Sequence, residues 1–115
     1  MALSTAHPTL DISVNEEPDA LRLVIRGDLD RESAWALTAA VIRTERVRTR
    51  RLVLDLAGLR FIDAGGLRAI ADVARRARRQ GRTFAIANPT EHVARLFSLT
   101  GLDKTMEIVG PTRPD

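Results

Sequence analysis

The sequence predicts one α/β domain: a mostly parallel sheet of about five strands, an antiparallel hairpin at its N-terminal edge, and three main helices. Two observations predict it. After an opening pair of alternating apolar runs, short strand-like segments take turns with longer segments of helical period. That alternation implies parallel strands joined by helical crossovers. The 115 residues, 44% hydrophobic and 29% charged, suffice for one core and not two. Neither an internal repeat nor a linker interrupts the pattern, so the expected domain spans residues 9–109, with 1–8 and 110–115 as flexible tails.

Leu10, Ile12 and Val14 alternate with Asp11 and Ser13, the period of a half-buried strand. Glu16-Glu17-Pro18-Asp19 is a turn, since proline fixes φ and the acids seek water. Leu21 to Ile25 forms the second strand, ending at Gly27, and pairs with the first. Asp30 is placed to cap a helix running to Glu45, with Glu32 in its first turn and Ala34, Trp35, Leu37 and Val41 toward the core. A basic hinge, Arg46 to Arg51, leads into the continuous run Leu52-Val53-Leu54 and then Asp55-Leu56, a central strand buried on both faces. The second helix opens near Gly65 and runs to Gln80. Leu67, Ile70, Ala71, Ala74 and Ala77 share one of its faces; Arg68, Asp72, Arg75, Arg76 and Arg79 occupy the other. Gly81 stops it. Thr83 to Ala87 is a strand, Thr90 caps a third helix carrying Val93, Leu96 and Phe97, Gly101 ends that helix, and Met106 to Val109 is the last strand.

Composition excludes several classes of chemistry. There is no cysteine, hence no disulfide, thiolate ligand or cysteine nucleophile. The two histidines, His7 and His92, lie far apart in the chain, which argues against metal-centred or triad catalysis. No cofactor or metal site is expected, nor an enzyme. No stretch approaches a membrane span, and the N-terminus lacks the basic start and apolar run of a signal peptide, so a cytoplasmic location is expected. Lys104 is the one lysine among 18 basic residues, against 15 acidic, for a net charge of +3. The pI of about 10.8 therefore reflects arginine rather than a large positive excess. With aromatics at 3% of the chain there is no stacking platform, and direct nucleic-acid binding is not expected. The arginine face of the second helix is better suited to solvent or an acidic protein surface, with Asp72 able to pair across one turn.

The segment Arg60-Phe61-Ile62-Asp63-Ala64-Gly65-Gly66-Leu67-Arg68 stands out. It joins the central strand to a helix N-terminus, where backbone N–H groups are unpaired and open α/β sheets bind their ligands. Asp63 can cap the helix, and Ala64, Gly65 and Gly66 leave the backbone bare for a partner or an anion. Caps of this kind are routine, and locally the pattern requires no more than that. No Gly-Lys-Ser/Thr follows, so it is not a Walker loop.

DLAGLRFIDAGGLRAI, at Asp55–Ile70, resembles the signature of STAS domains, the anti-sigma-factor antagonists and their relatives. RGDLDRESA at Arg26–Ala34 is similar to that family's first strand-to-helix turn, and LFSLTGLDKTMEI at Leu96–Ile108 to its third helix and last strand. The resemblance implies a single STAS-like domain without catalysis, docking on an anti-sigma factor of serine-kinase type and so freeing a sigma factor. Partner contacts are then expected at Asp28, Leu29 and Asp30 and at Asp63, Ala64, Gly65, Gly66, Leu67 and Arg68. In such antagonists a serine in the pattern Asp-Ser-Ser/Thr-Gly-Leu is phosphorylated to break the complex. Asp63, Gly66 and Leu67 match that pattern; Ala64 replaces the first serine and Gly65 the phosphoacceptor. No phosphorylation is expected at Gly65. The alternative implied by the resemblance is an accessory subunit bound to the ATPase of a lipid-type ABC transporter, which needs no phosphoserine. A homodimer through exposed edge strands is permitted but not specified.

Overall fold

Period-two alternation of apolar residues builds the first half of the sheet, and helix-period segments cover one side of it. The computed structural model describes residues 3–47, 50–112 and 114. Its strands are β1 (Leu3–His7), β2 (Leu10–Glu16), β3 (Ala20–Leu29), β4 (Arg51–Ile62), β5 (Thr83–Ala87) and β6 (Glu107–Val109). Its helices are α1 (Ala34–Thr44), α2 (Ala64–Arg79) and α3 (Glu91–Thr100), followed by a short 3-10 turn at Leu102–Lys104. The strands lie in chain order, β1-β2-β3-β4-β5-β6. β1/β2 and β2/β3 pair antiparallel, and the remaining three pairs are parallel.

One sheet face carries Leu10, Ile12, Leu21, Leu23, Ile25, Leu52, Leu54 and Ile86, all 1% exposed or less. Leu37 and Val41 of α1, Ile70 and Val73 of α2, and Val93 and Phe97 of α3 complete that core. Each fully buried leucine or isoleucine contributes about 1.5–3 kcal/mol of transfer free energy. The opposite face holds a smaller cluster made only of strand residues, Ala20, Val53, Ala85 and Ala87 with Val109 beside them. There Arg22 bridges Glu17 at 2.9 Å and Asp55 at 3.0 Å. Among the described residues, no helix is long and apolar enough to cross a membrane.

The structure alters the expected picture in four places. The sheet has six strands rather than about five, because Leu3–His7 forms a strand where a flexible tail was expected. It pairs with β2 across a two-residue turn at Pro8-Thr9, so the predicted edge strand, β2, lies one place inside the edge. Residues 1 and 2 of that expected tail, and 113 and 115 of the other, lie outside the described residues, as does the middle of the expected hinge from Arg46 to Arg51.

Secondly, β3 does not stop at Gly27 but runs to Leu29. Gly27 takes φ +99°, and a Cβ on it would meet the Thr9 carbonyl oxygen at 2.2 Å. That close approach lets the Asp28 amide donate to the same carbonyl at 2.8 Å, carrying the strand onward. Thirdly, β4 runs on to Ile62 and departs from a simple alternation: after Leu52 and Leu54, the buried positions are Leu56, Leu59 and Ile62. The β3/β4 register shifts between Val24 and Arg26 and again between Gly27 and Asp28. Each shift inserts an extra β4 residue, stretching the core period from two to three.

Lastly, α1 begins at Ala34, not directly after Asp30, and Trp35 is 57% exposed. Trp35, Thr38 and Ile42 share a helix stripe out of phase with Leu37 and Val41, so the tryptophan faces away from the core. At the far end of α1, buried Arg82 donates to the Thr44 carbonyl at 2.9 Å and the Val47 carbonyl at 2.8 Å. It thereby satisfies carbonyls that the helix end leaves open. α2 and α3 follow the expected caps: Asp63 accepts from the Gly66 amide and Thr90 from the Val93 amide. Gly101 closes α3 at φ +77°.

Candidate functional site

β3 and β4 are parallel neighbours whose last paired residues are Leu29 and Ile62. The two loops that follow therefore leave the sheet side by side, at the carboxyl ends of the strands. The Asp28–Ser33 turn feeds α1, and Asp63 feeds α2.

Asp63 ties the two together. Its Oδ1 accepts from the Gly66 amide at 2.9 Å and its Oδ2 from the Arg31 amide at 3.2 Å, while its own amide donates to the Leu29 carbonyl at 3.4 Å. The glycines make the approach possible. A Cβ on Gly66 would lie 2.2 Å from the Leu29 oxygen and 2.8 Å from Ile62 Cγ1; one on Gly65 would lie 2.9 Å from both Cα and Cβ of Arg31. Gly66 is thus required by the backbone of the neighbouring strand, and Gly65 by the neighbouring turn.

Asp30 organises that turn from within. Its Oδ1 accepts from the Glu32 and Ser33 amides, each at 3.0 Å, and from the Ser33 hydroxyl at 3.1 Å. These bonds, led by the Ser33 amide, hold the Asp30 carboxyl below the usual aspartate value. Ser33 is fully buried; its hydroxyl also reaches the Asp28 carbonyl at 2.9 Å and accepts from the Asp30 amide at 3.0 Å. Ser33 is not among the residues expected from the sequence, although an Asp-x-x-Ser spacing is itself a turn signal. Asp28 lies 3.6 Å from the Arg60 guanidinium on the adjacent strand.

The predicted site residues thus come together, but not all at the surface. Ala64 and Arg68 are exposed, and Asp28, Asp30, Asp63 and Gly65 are half-buried. Leu29 is 0% exposed and Gly66 is buried. Leu67 packs half-buried against the core. Leu29, expected as a contact residue, is a core residue because β3 continues to it. Gly66 supports the surface from behind, and Leu67 anchors the helix.

An open depression of about 450 Å³ is lined by Asp30, Arg31, Glu32, Asp63, Ala64 and Gly65. Beside it lies another of about 470 Å³, between the first turns of α1 and α2, reaching Trp35, Thr38, Arg68 and Asp72. Trp35 stacks edge-on against His7, ring centres 6.0 Å apart, and Phe61 is 48% exposed at the end of β4. Among the described residues no group of three or more His, Cys, Asp or Glu is placed to hold a metal ion. The carboxylates of Asp30 and Asp63 are committed to backbone amides. The arrangement offers a preorganised surface of small residues, aromatic rings and arginines, suited to a protein partner.

A family model described as "Mlab, STAS domain" matches residues 12–110. In three dimensions the chain is similar to an anti-sigma factor antagonist from Mycobacterium paratuberculosis, at 23% identity over 93% of this chain and 91% of that one, with a TM-score of 0.80. It is also similar to a proposed anti-sigma factor antagonist from Thermotoga maritima, at 25% identity over 85% of each chain, with a TM-score of 0.77. The phosphorylated form of the Bacillus cell fate determinant SpoIIAA shares the fold at 15% identity, covering 86% of this chain and 91% of that one, with a TM-score of 0.66. The strand-to-helix junctions, the packing of three helices on one sheet face and the match to residues 12–110 lead to one assignment: the chain belongs to the STAS domain family and resembles its anti-sigma factor antagonists.

Proposed function

We propose that this chain is a regulatory binding module without catalytic activity, which engages a serine-kinase-type anti-sigma factor in the cytoplasm and frees a sigma factor by competition. One observation carries the reading. The Asp28–Asp30 turn and the Asp63–Arg68 segment are locked into one surface by the two oxygens of Asp63, one on the Gly66 amide and one on the Arg31 amide. A surface ordered before binding loses little conformational entropy when a partner docks.

Control of this complex would come from protein abundance or from another protein. Gly65 has no hydroxyl to phosphorylate, and the space a serine side chain would enter is occupied by the Arg31 backbone. The same feature favours a second reading, the accessory subunit on the ATPase of a lipid-type transporter, where the docking surface serves without a phosphoserine.

Affinity capture from the native cytoplasm, with mass spectrometric identification, separates the two. Tagged wild-type protein is expected to recover an anti-sigma factor with a kinase-like ATP-binding domain. The exposed substitution Arg68→Glu should deplete it without lowering the thermal stability of the bait. Recovery of a transporter ATPase in its place would move the assignment to the accessory subunit. Equal recovery by both baits would remove Arg68 from the docking surface.

A further inference from the structure

The docking surface does not end at the first turn of α2. α1 and α2 run side by side from the Gly65 end to the Glu45–Arg76 end, and the furrow between them continues along their length. Past Trp35, Thr38 and Arg68 it narrows to a smaller hollow lined by Val41, Asp72, Val73, Arg76 and Arg79. From Gly65 to Arg79 the helical rise gives it a length of about 21 Å, enough for four turns of a partner helix.

Its charge is unbalanced in one direction. Arg75 pairs with Asp72, and Arg76 donates to Glu45 at 3.0 Å. Arg31, Arg68 and Arg79, all exposed, have no carboxylate partner among the described residues. Arg68 and Arg79 lie three turns apart on the same stripe of α2, eleven residues at 100° each returning almost to the starting angle. Across the furrow stands Trp35, a large apolar ring 57% exposed, with the His7 ring edge-on against it. An arginine row facing an exposed tryptophan over a floor of small apolar side chains is complementary to an amphipathic helix bearing carboxylates.

We infer that the α1/α2 furrow is the seat of an acidic amphipathic helix of the partner protein, anchored by an apolar residue on Trp35 and held by carboxylates on Arg68 and Arg79. The inference rests on the docking reading above and names the chemistry of the partner segment. It is continuous with that site through Arg31, Ala64 and Gly65, which line both depressions. Arginine suits the role because its planar fork meets a carboxylate with two parallel hydrogen bonds.

Trp35 is the only tryptophan in the chain, so its emission reports directly on occupancy. The probe is a synthetic helical peptide of roughly 18 residues, long enough to hold a helix, with Glu along one face and Leu along the other. A second peptide replaces every Glu by Lys. The acidic peptide is expected to shift the Trp35 emission to the blue in a saturable titration at low salt. Arg68→Glu and Arg79→Glu should each weaken that binding about tenfold or more, in line with the loss of a charge-assisted contact, and the Lys peptide should produce no shift. An unmoved spectrum with the acidic peptide, or an equal response to the Lys peptide, would overturn the inference. So would duplex DNA or anionic vesicles shifting the emission where the acidic peptide does not. If the captured partner binds the Gly65 end while the acidic peptide leaves Trp35 unmoved, the furrow assignment fails and the docking reading stands. If the peptide binds as described but no partner depends on Arg68, the reverse holds.

Discussion

Asp63 performs two tasks with one carboxylate, capping α2 and fixing the turn ahead of α1. Removal of a helix cap costs about 1 kcal/mol, up to about 2 in protein contexts. Asp63→Ala should accordingly lower the unfolding free energy by about 1–2 kcal/mol in chemical denaturation. Asp63→Asn, which keeps one oxygen acceptor, should lose less. Equal losses would mean that only the charge, and not the geometry, matters there. Gly66→Ala should be the more damaging of the two neighbouring glycine substitutions. Its Cβ would collide with the Leu29 carbonyl, a fixed part of a central strand, and overpacking of this kind costs about 1–3 kcal/mol. Gly65→Ala presses instead on Arg31, in a turn that can shift, and should be milder. The cap at Asp63 was legible in the sequence because it is local. Its second bond was not, because Arg31 lies 32 positions away and only the parallel pairing of β3 and β4 brings it near.

At the scale of elements, α1 is secured at both ends by residues outside it. Asp30 and Asp63 order its entry, and Arg82 and Arg76 hold its exit. Burial of the Arg82 guanidinium lowers its pKa, while its Nη2 donates to the carbonyls of Thr44 and Val47. The hydrogen bond from Arg76 holds the Glu45 carboxyl below the usual glutamate value. A depressed carboxyl stabilises the fold fully above its unfolded-state pKa, and that contribution is lost as pH falls through the folded value. The melting-temperature difference between wild-type protein and Glu45→Gln should therefore be largest near neutrality and vanish in acid. A difference that persisted unchanged at low pH would contradict the ion pair. α2, β5 and α3 were readable nearly to the residue, because Asp63, Gly81, Thr90 and Gly101 are strong local boundary signals. The strands were less so. β1 has too few apolar side chains to show a period, and the two register shifts in β4 replace alternation by Leu56, Leu59 and Ile62. Trp35, expected toward the core, is exposed because its phase with Ile42, itself 46% exposed, separates it from the Leu37–Val41 stripe.

The whole molecule is asymmetric. All three helices contribute to the core on one sheet face, while the apolar cluster on the other face is strand residues alone, beside an Arg22 that bridges two carboxylates, Glu17 and Asp55. Unpaired positive charge and exposed aromatic surface gather instead at the helical face and at the carboxyl ends of β3 and β4. A partner drawn by charge and shape should approach there, and the arginine contribution should weaken as salt rises. That asymmetry permits a direct test of whether the β3/β4 carboxyl end is the docking surface. A photo-cross-linking amino acid placed at exposed Ala64, and separately at exposed Asn15 on the bare sheet face, would be irradiated in the native cell. A cross-linked partner is expected from position 64 and none from position 15. A partner captured at position 15 and not at 64 would contradict docking at the β3/β4 carboxyl end.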